Sequence, residues 1–183
     1  MATNIKHPSK ITGGCLCGAV RYTVHFTGNS SWPPKSSSCQ CTMCRKWTAS
    51  LFPQMLSLAS EQVTPELSTF QTYKEYRSSE KCLRGFCSEC GSSLIFRSEE
   101  TPKELHVFLG TIDEKWLIGE KVKGTEKLTE RGVAFERDGG LGGILGTPSY
   151  VQIYYENAVP GVTDILGGGK KYLGDDSDWD GFD

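Results

Sequence analysis

Residues 19–26, A-V-R-Y-T-V-H-F, alternate partly between apolar and polar positions and carry β-branched and aromatic side chains, the pattern of a strand. Residues 51–58 are apolar enough for a second strand. Pro53 would confine it to a sheet edge or a bulge, because proline cannot donate to a ladder. Residues 67–76, with Phe70, Tyr73 and Tyr76, predict another. Residues 81–86 and 93–97 read as the two arms of a hairpin, 104–110 as a further strand and 150–155 as a late one. Residues 113–117 predict one short helical turn. Residues 1–12 read as a loose lead-in, and 27–37, with Gly, Asn, Pro-Pro and serines, as loop. No stretch holds a long helical period. Many short strands punctuated by Gly and Pro predict a mostly β fold.

Beyond Gly119 the pattern fades. Residues 120–137 are rich in charge, and 138–146 hold five glycines with no strand–helix context or G-K-[ST] that would make a phosphate loop. The stretch 175–183 carries five aspartates and reads as a flexible tail, as does 1–10. A single domain over 11–155 is expected, and 183 residues are enough for one real core.

Charge narrows the partners. A net charge of −2 and a pI near 6.0 imply no basic face, so nucleic acid is not an expected partner. No run of about 18 apolar residues exists, so no membrane span is expected. Residues 1–10 hold two lysines and no apolar core segment, which predicts no secretory leader and a cytoplasmic, reducing setting. There, closely spaced cysteines are metal ligands or catalytic groups far more often than disulfides.

Seven of the eight cysteines fall in three tight clusters. Cys15 and Cys17 form C-x-C; Cys39, Cys41 and Cys44 form C-x-C-x-x-C; Cys87 and Cys90 form C-x-x-C. Thiolates so spaced can grip one soft divalent ion from a single backbone turn. A structural zinc takes four protein ligands, and a catalytic zinc takes three and keeps a position open. Seven divides into four plus three, which predicts two Zn²⁺ per chain, one closed and one open. Cys82 is left over. It reads as a small buried hydrophobe, or as a fourth ligand that would close the open site.

G-G-C-L-C-G-A-V-R-Y at 13–22, C-Q-C-T-M-C-R-K at 39–46 and R-G-F-C-S-E-C-G-S-S-L at 84–94 occur in that order. Together they resemble the family of glutathione-dependent formaldehyde-activating enzymes, which also includes centromere protein V. The resemblance covers about residues 11–118. It implies a β-tent, a stack of short antiparallel sheets stapled by zinc. It also implies that Cys15, Cys17, Cys87 and Cys90 bind the structural zinc and that Cys39, Cys41 and Cys44 bind the catalytic one. One departure stands in the middle motif. The family carries histidine between its first two cysteines, where this chain has Gln40, and glutamine cannot take up a proton near neutral pH.

A three-thiolate site suits a soft incoming ligand, and coordination strips a thiol of its proton. The expected activity is therefore that of a carbon–sulfur lyase: a C–S bond made or broken in a thiol adduct of an aldehyde, with glutathione as the expected thiol. Arg45, Lys46 and Arg84 lie beside the clusters and fit a carboxylate-bearing thiol; Trp47 and Phe52 fit the walls of its pocket. The plainer readings make the first two solvated charges and the aromatics core, and make His25 and His106 satisfied rather than ligands. An isomerase or other biosynthetic enzyme on the same scaffold stands as the alternative, with a non-catalytic zinc module behind it. Oligomeric state is left open.

Overall fold

Every cysteine cluster is anchored on a strand end or on the turn that follows one. The computed structural model describes residues 8–26, 30–176 and 181–183. In chain order it begins with β1 (Lys10–Gly14), β2 (Arg21–His25), β3 (Lys35–Cys39), α1 (Thr42–Thr48), β4 (Gln54–Ala59) and β5 (Val63–Thr64). Then come β6 (Tyr73–Arg77), β7 (Cys82–Cys87), β8 (Ser93–Ser98), β9 (Glu104–Phe108) and α2 (Glu114–Leu117). The last third holds β10 (Glu120–Lys121), β11 (Lys127–Thr129), β12 (Gly132–Ala134), β13 (Arg137–Asp138), α3 (Gly142–Gly146), β14 (Val151–Ile153) and β15 (Lys170–Lys171).

The mostly β fold expected from the sequence is what forms. Its main sheet has eight strands in the order β15-β14-β3-β4-β9-β8-β7-β6; a second has the order β1-β2-β5. The pairing is not wholly antiparallel, since β14 runs parallel to both β3 and β15.

Side chains alternate across the main sheet, so each face carries its own cluster. On one face Leu56, Leu58, Ile95, Val107 and Cys87 pack against Ile11, Val20, Tyr22 and Val24 of the smaller sheet. A bulge at Gly85/Phe86 lets both Leu94 and Ile95 enter this core, and both are fully buried. The opposite face carries Met55, Phe96 and Phe108 with Cys39, Cys41 and Cys44. Register also aligns a row across that face: Tyr76, Arg84, Phe96, His106, Ser57 and Lys35.

Several local expectations change. Residues 10–12, read as lead-in, pair with β2 together with Gly13 and Gly14. Residues 35–39, read partly as loop, form an interior strand. Its serines are paired there: Ser36 Oγ donates to the Leu145 carbonyl and Ser38 Oγ to Gln152 Oε1. Pro53 does not push its strand to an edge. The strand starts one residue later and runs between β3 and β9, while the Pro53 carbonyl accepts the Cys39 N–H. Of the two stretches expected as flexible tails, 1–7 and 177–180 lie outside the described residues. Within the described part, Lys171 and Phe182 exchange backbone hydrogen bonds.

Candidate metal centres

The first and third cysteine motifs meet. The sulfurs of Cys15, Cys17, Cys87 and Cys90 all lie within 4.8 Å of one another. Cys15 and Cys17 are 3.5 Å apart and Cys17 and Cys87 3.8 Å. Each motif is a tight turn closed on its first cysteine. In one, Gly18 donates its N–H to the Cys15 carbonyl and Val20 donates to Cys15 Sγ at 3.2 Å. In the other, Gly91 donates to the Cys87 carbonyl at 2.8 Å. Gly18 and Gly91 both have positive φ, 79° and 74°, where a side chain would strain the turn. Ser92 joins the two turns: its Oγ accepts the Leu16 N–H at 2.9 Å and lies 3.2 Å from Cys90 Sγ. That hydroxyl, followed by backbone N–H groups, lowers the Cys90 thiol to about 5. Nothing in the sequence singled out Ser92.

The middle motif forms a second group by itself. Cys39, Cys41 and Cys44 have sulfurs within 4.8 Å of one another, and all three are buried. Cys39 ends β3, Cys41 caps α1, and Cys44 stands in that helix's first turn. The Cys44 N–H donates to Cys41 Sγ at 3.3 Å, an N-cap made by sulfur. Hydrogen bonds from Cys39 and Cys44, then the Cys44 N–H and the Arg84 charge, hold the Cys41 thiol down to about 2. Hydrogen bonds to Cys41 and Cys44, followed by burial, push the Cys39 thiol up. Soft thiolates gathered this way are a donor set for a metal ion in each group.

Arg84 lies where the sequence did not place it. Its guanidinium is 3% exposed, with Nη1 and Nη2 at 3.5 and 3.4 Å from Cys44 Sγ and Nε donating to Ser78 Oγ at 3.0 Å. It also sits over the Phe96 ring at 5.3 Å. The other expected site residues divide. Trp47 packs on the second group, stacked on Tyr76 at 6.0 Å, and its buried Nε1 has no partner among the described residues. Arg45 and Lys46 stand in the last turn of α1, and neither forms an ion pair among the described residues. Phe52 lines a separate cavity with Leu51 and Ile165. Cys82 joins neither sulfur group. His25 bonds Thr64 and His106 bonds Ser57, at 2.8 and 3.0 Å, so both are satisfied.

Gln40, between Cys39 and Cys41 in sequence, is fully buried. Its Oε1 accepts a hydrogen bond from Thr163 Oγ1 at 2.6 Å, and its Nε2 has no partner among the described residues. Thr163 is 123 residues away, and no sequence pattern pointed to it.

Among the described residues no helix is long and apolar enough to cross a membrane.

Comparison with known proteins agrees with the cysteine geometry. The family model described as glutathione-dependent formaldehyde-activating enzyme matches residues 10–128. An uncharacterised lyase of Schizosaccharomyces pombe is 33% identical over 84 residues, 46% of this chain and 55% of that protein. A Halomonas elongata protein named for a glutathione-dependent formaldehyde-activating enzyme is 31% identical over 108 residues, 56% of this chain and 66% of that protein. The chain thus spans between half and two thirds of the length of these relatives. A Rhodobacter sphaeroides crystal structure aligns with a TM-score of 0.45 at 18% identity, over 57% of this chain and 89% of that one. With the family model matched over well more than half of its length, the chain belongs to the family of glutathione-dependent formaldehyde-activating enzymes.

Proposed function

We propose that this protein is a two-zinc enzyme that makes and breaks C–S bonds between a thiol, glutathione in the first instance, and an aldehyde. Four thiolates at a zinc–sulfur distance of about 2.3 Å would stand about 3.8 Å apart in a tetrahedron. The 3.5 and 3.8 Å separations in the four-cysteine group suit that geometry. This ion would be structural. The observation that carries the catalytic assignment is the second group: three sulfurs, a buried arginine, and no fourth His, Cys, Asp or Glu ligand among the described residues.

A zinc ion held by Cys39, Cys41 and Cys44 would supply Lewis acidity and favour the thiolate form of an incoming thiol. The chain's own groups do the rest. Arg84 offsets the negative charge that three thiolates leave on a dipositive ion, from a position closed to solvent. Trp47, Phe96 and Phe108 exclude water from one side of the sulfurs. In the forward direction the thiol S–H bond breaks, the C–S bond forms and the carbonyl π bond opens. The proton ends on the oxygen, giving a hemithioacetal; the reverse restores thiol and aldehyde. Gln40 cannot carry that proton, so it passes between thiol and oxygen directly or through water.

The test is exchange spectroscopy by nuclear magnetic resonance on mixtures of glutathione and formaldehyde. Faster exchange with the protein, lost in a folded Cys41→Ser variant, is the expected result. Equal rates with and without protein would reject glutathione–formaldehyde chemistry.

A further inference from the structure

We propose that the non-thiol half of the substrate is apolar, larger than formaldehyde, and seated in an open cavity at the β3–β4 end of the main sheet. This rests on the C–S reading above and names the substrate class for that site. The cavity has a volume of about 710 Å³ and lies among the 50–54 connection, α3 and residues 162–166. That is within the size range of small-molecule pockets, and a one-carbon aldehyde does not need it. Its walls carry Leu51, Phe52, Val162, Ile165 and Leu166. Leu51, Val162 and Ile165 stand 54%, 54% and 74% exposed. Three large aliphatic side chains held in water around one concavity mark a surface that gains by being covered.

The cavity is tied to the thiols by a short chain of bonds. Thr163 forms part of its wall. Thr163 Oγ1 accepts the Val159 N–H at 2.8 Å, so its own proton goes to Gln40 Oε1 at 2.6 Å. That fixes the amide with its oxygen spent and its buried Nε2 donors unmatched among the described residues. An unmatched buried donor calls for an acceptor, and Gln40 is adjacent in sequence to both Cys39 and Cys41. The carbonyl-derived oxygen of an adduct bound between the thiols and the cavity supplies one. This chain would hold the oxygen by a neutral amide and read the carbon chain with the cavity.

Isothermal titration with S-methyl-, S-butyl- and S-hexylglutathione on the zinc-loaded full chain separates the possibilities. Each added methylene should tighten binding by up to about fourfold. Ile165→Asp, at an exposed position that leaves the core intact, should flatten that gradient. Binding of all three with no dependence on chain length overturns the proposal and leaves the C–S reading standing. A gradient that survives Ile165→Asp overturns the placement in this cavity. Failure of every conjugate to bind, together with absent glutathione–aldehyde exchange, removes the C–S reading and this inference with it.

Discussion

Both terminal nitrogens of Arg84 lie within 3.5 Å of the Cys44 sulfur, from a guanidinium that is almost entirely buried. A buried cation needs an anion, and this one faces three thiols. Arg84→Met keeps much of the volume and removes the charge. It is expected to weaken zinc at the second group by about 10–100-fold, the usual cost of losing a partner to a metal ligand. A chelator competition titration reads this directly. Unchanged affinity would mean that the arginine is only packing.

Gly85 separates Arg84 from Phe86 on β7, at the bulge. A Cβ built there would come within 2.3 Å of Tyr73 Oη and 2.7 Å of Ile95 Cγ1. Tyr73 Oη is bonded to Glu75, and Ile95 is fully buried, so neither yields freely. Gly85→Ala should cost about 1–3 kcal/mol in a denaturant titration. Because Arg84 precedes it and Cys87 lies two residues beyond, zinc affinity should fall at both groups.

His106 should make stability depend on pH. Burial lowers its pKa from the ordinary value near 6.5, against a smaller opposing pull from Glu104. The folded state therefore resists protonation that the unfolded chain accepts. Stability is full above pH about 6.5 and falls as pH drops below it towards the folded pKa. Urea midpoints measured from pH 7.5 to 5 should decline, and His106→Asn should reduce the slope. A flat profile in the native protein would mean that His106 gains a proton without penalty.

Cys87→Ser should abolish folding. Cys87 is fully buried in the core, and it joins a motif near residue 15 to one near residue 90. Structural zinc binding is worth on the order of 10–16 kcal/mol, against a typical net stability of about 5–15. Far-ultraviolet circular dichroism should show loss of sheet. A folded Cys87→Ser protein with a sharp melting transition would show that the metal is not the main staple.

Much of this is legible in the sequence, for unequal reasons. The cysteine groups could be read because thiol spacing is a local constraint, and the four-plus-three count needed no geometry. Strands with one buried face, such as β2 and β9, announce themselves by alternation. The strand at 35–39 did not, because its buried residues are serines satisfied by partners more than 100 residues away. Pro53 lacks an N–H, yet it stands just before an interior strand because its carbonyl still accepts from Cys39. Arg84 was placed near a cluster by sequence adjacency to Cys87. The alternation of β7 turns it to the other face and to the other sulfur group. Thr163 was invisible for the reason that hides most long-range polar pairs: nothing local encodes them.

The measurement that bears most directly on the two-centre account is zinc content per folded chain, in the native protein and in Cys41→Ser. Two ions falling to one, with circular dichroism unchanged, is the expected result. One ion in the native protein, or no loss on substitution, would contradict a second zinc at Cys39, Cys41 and Cys44.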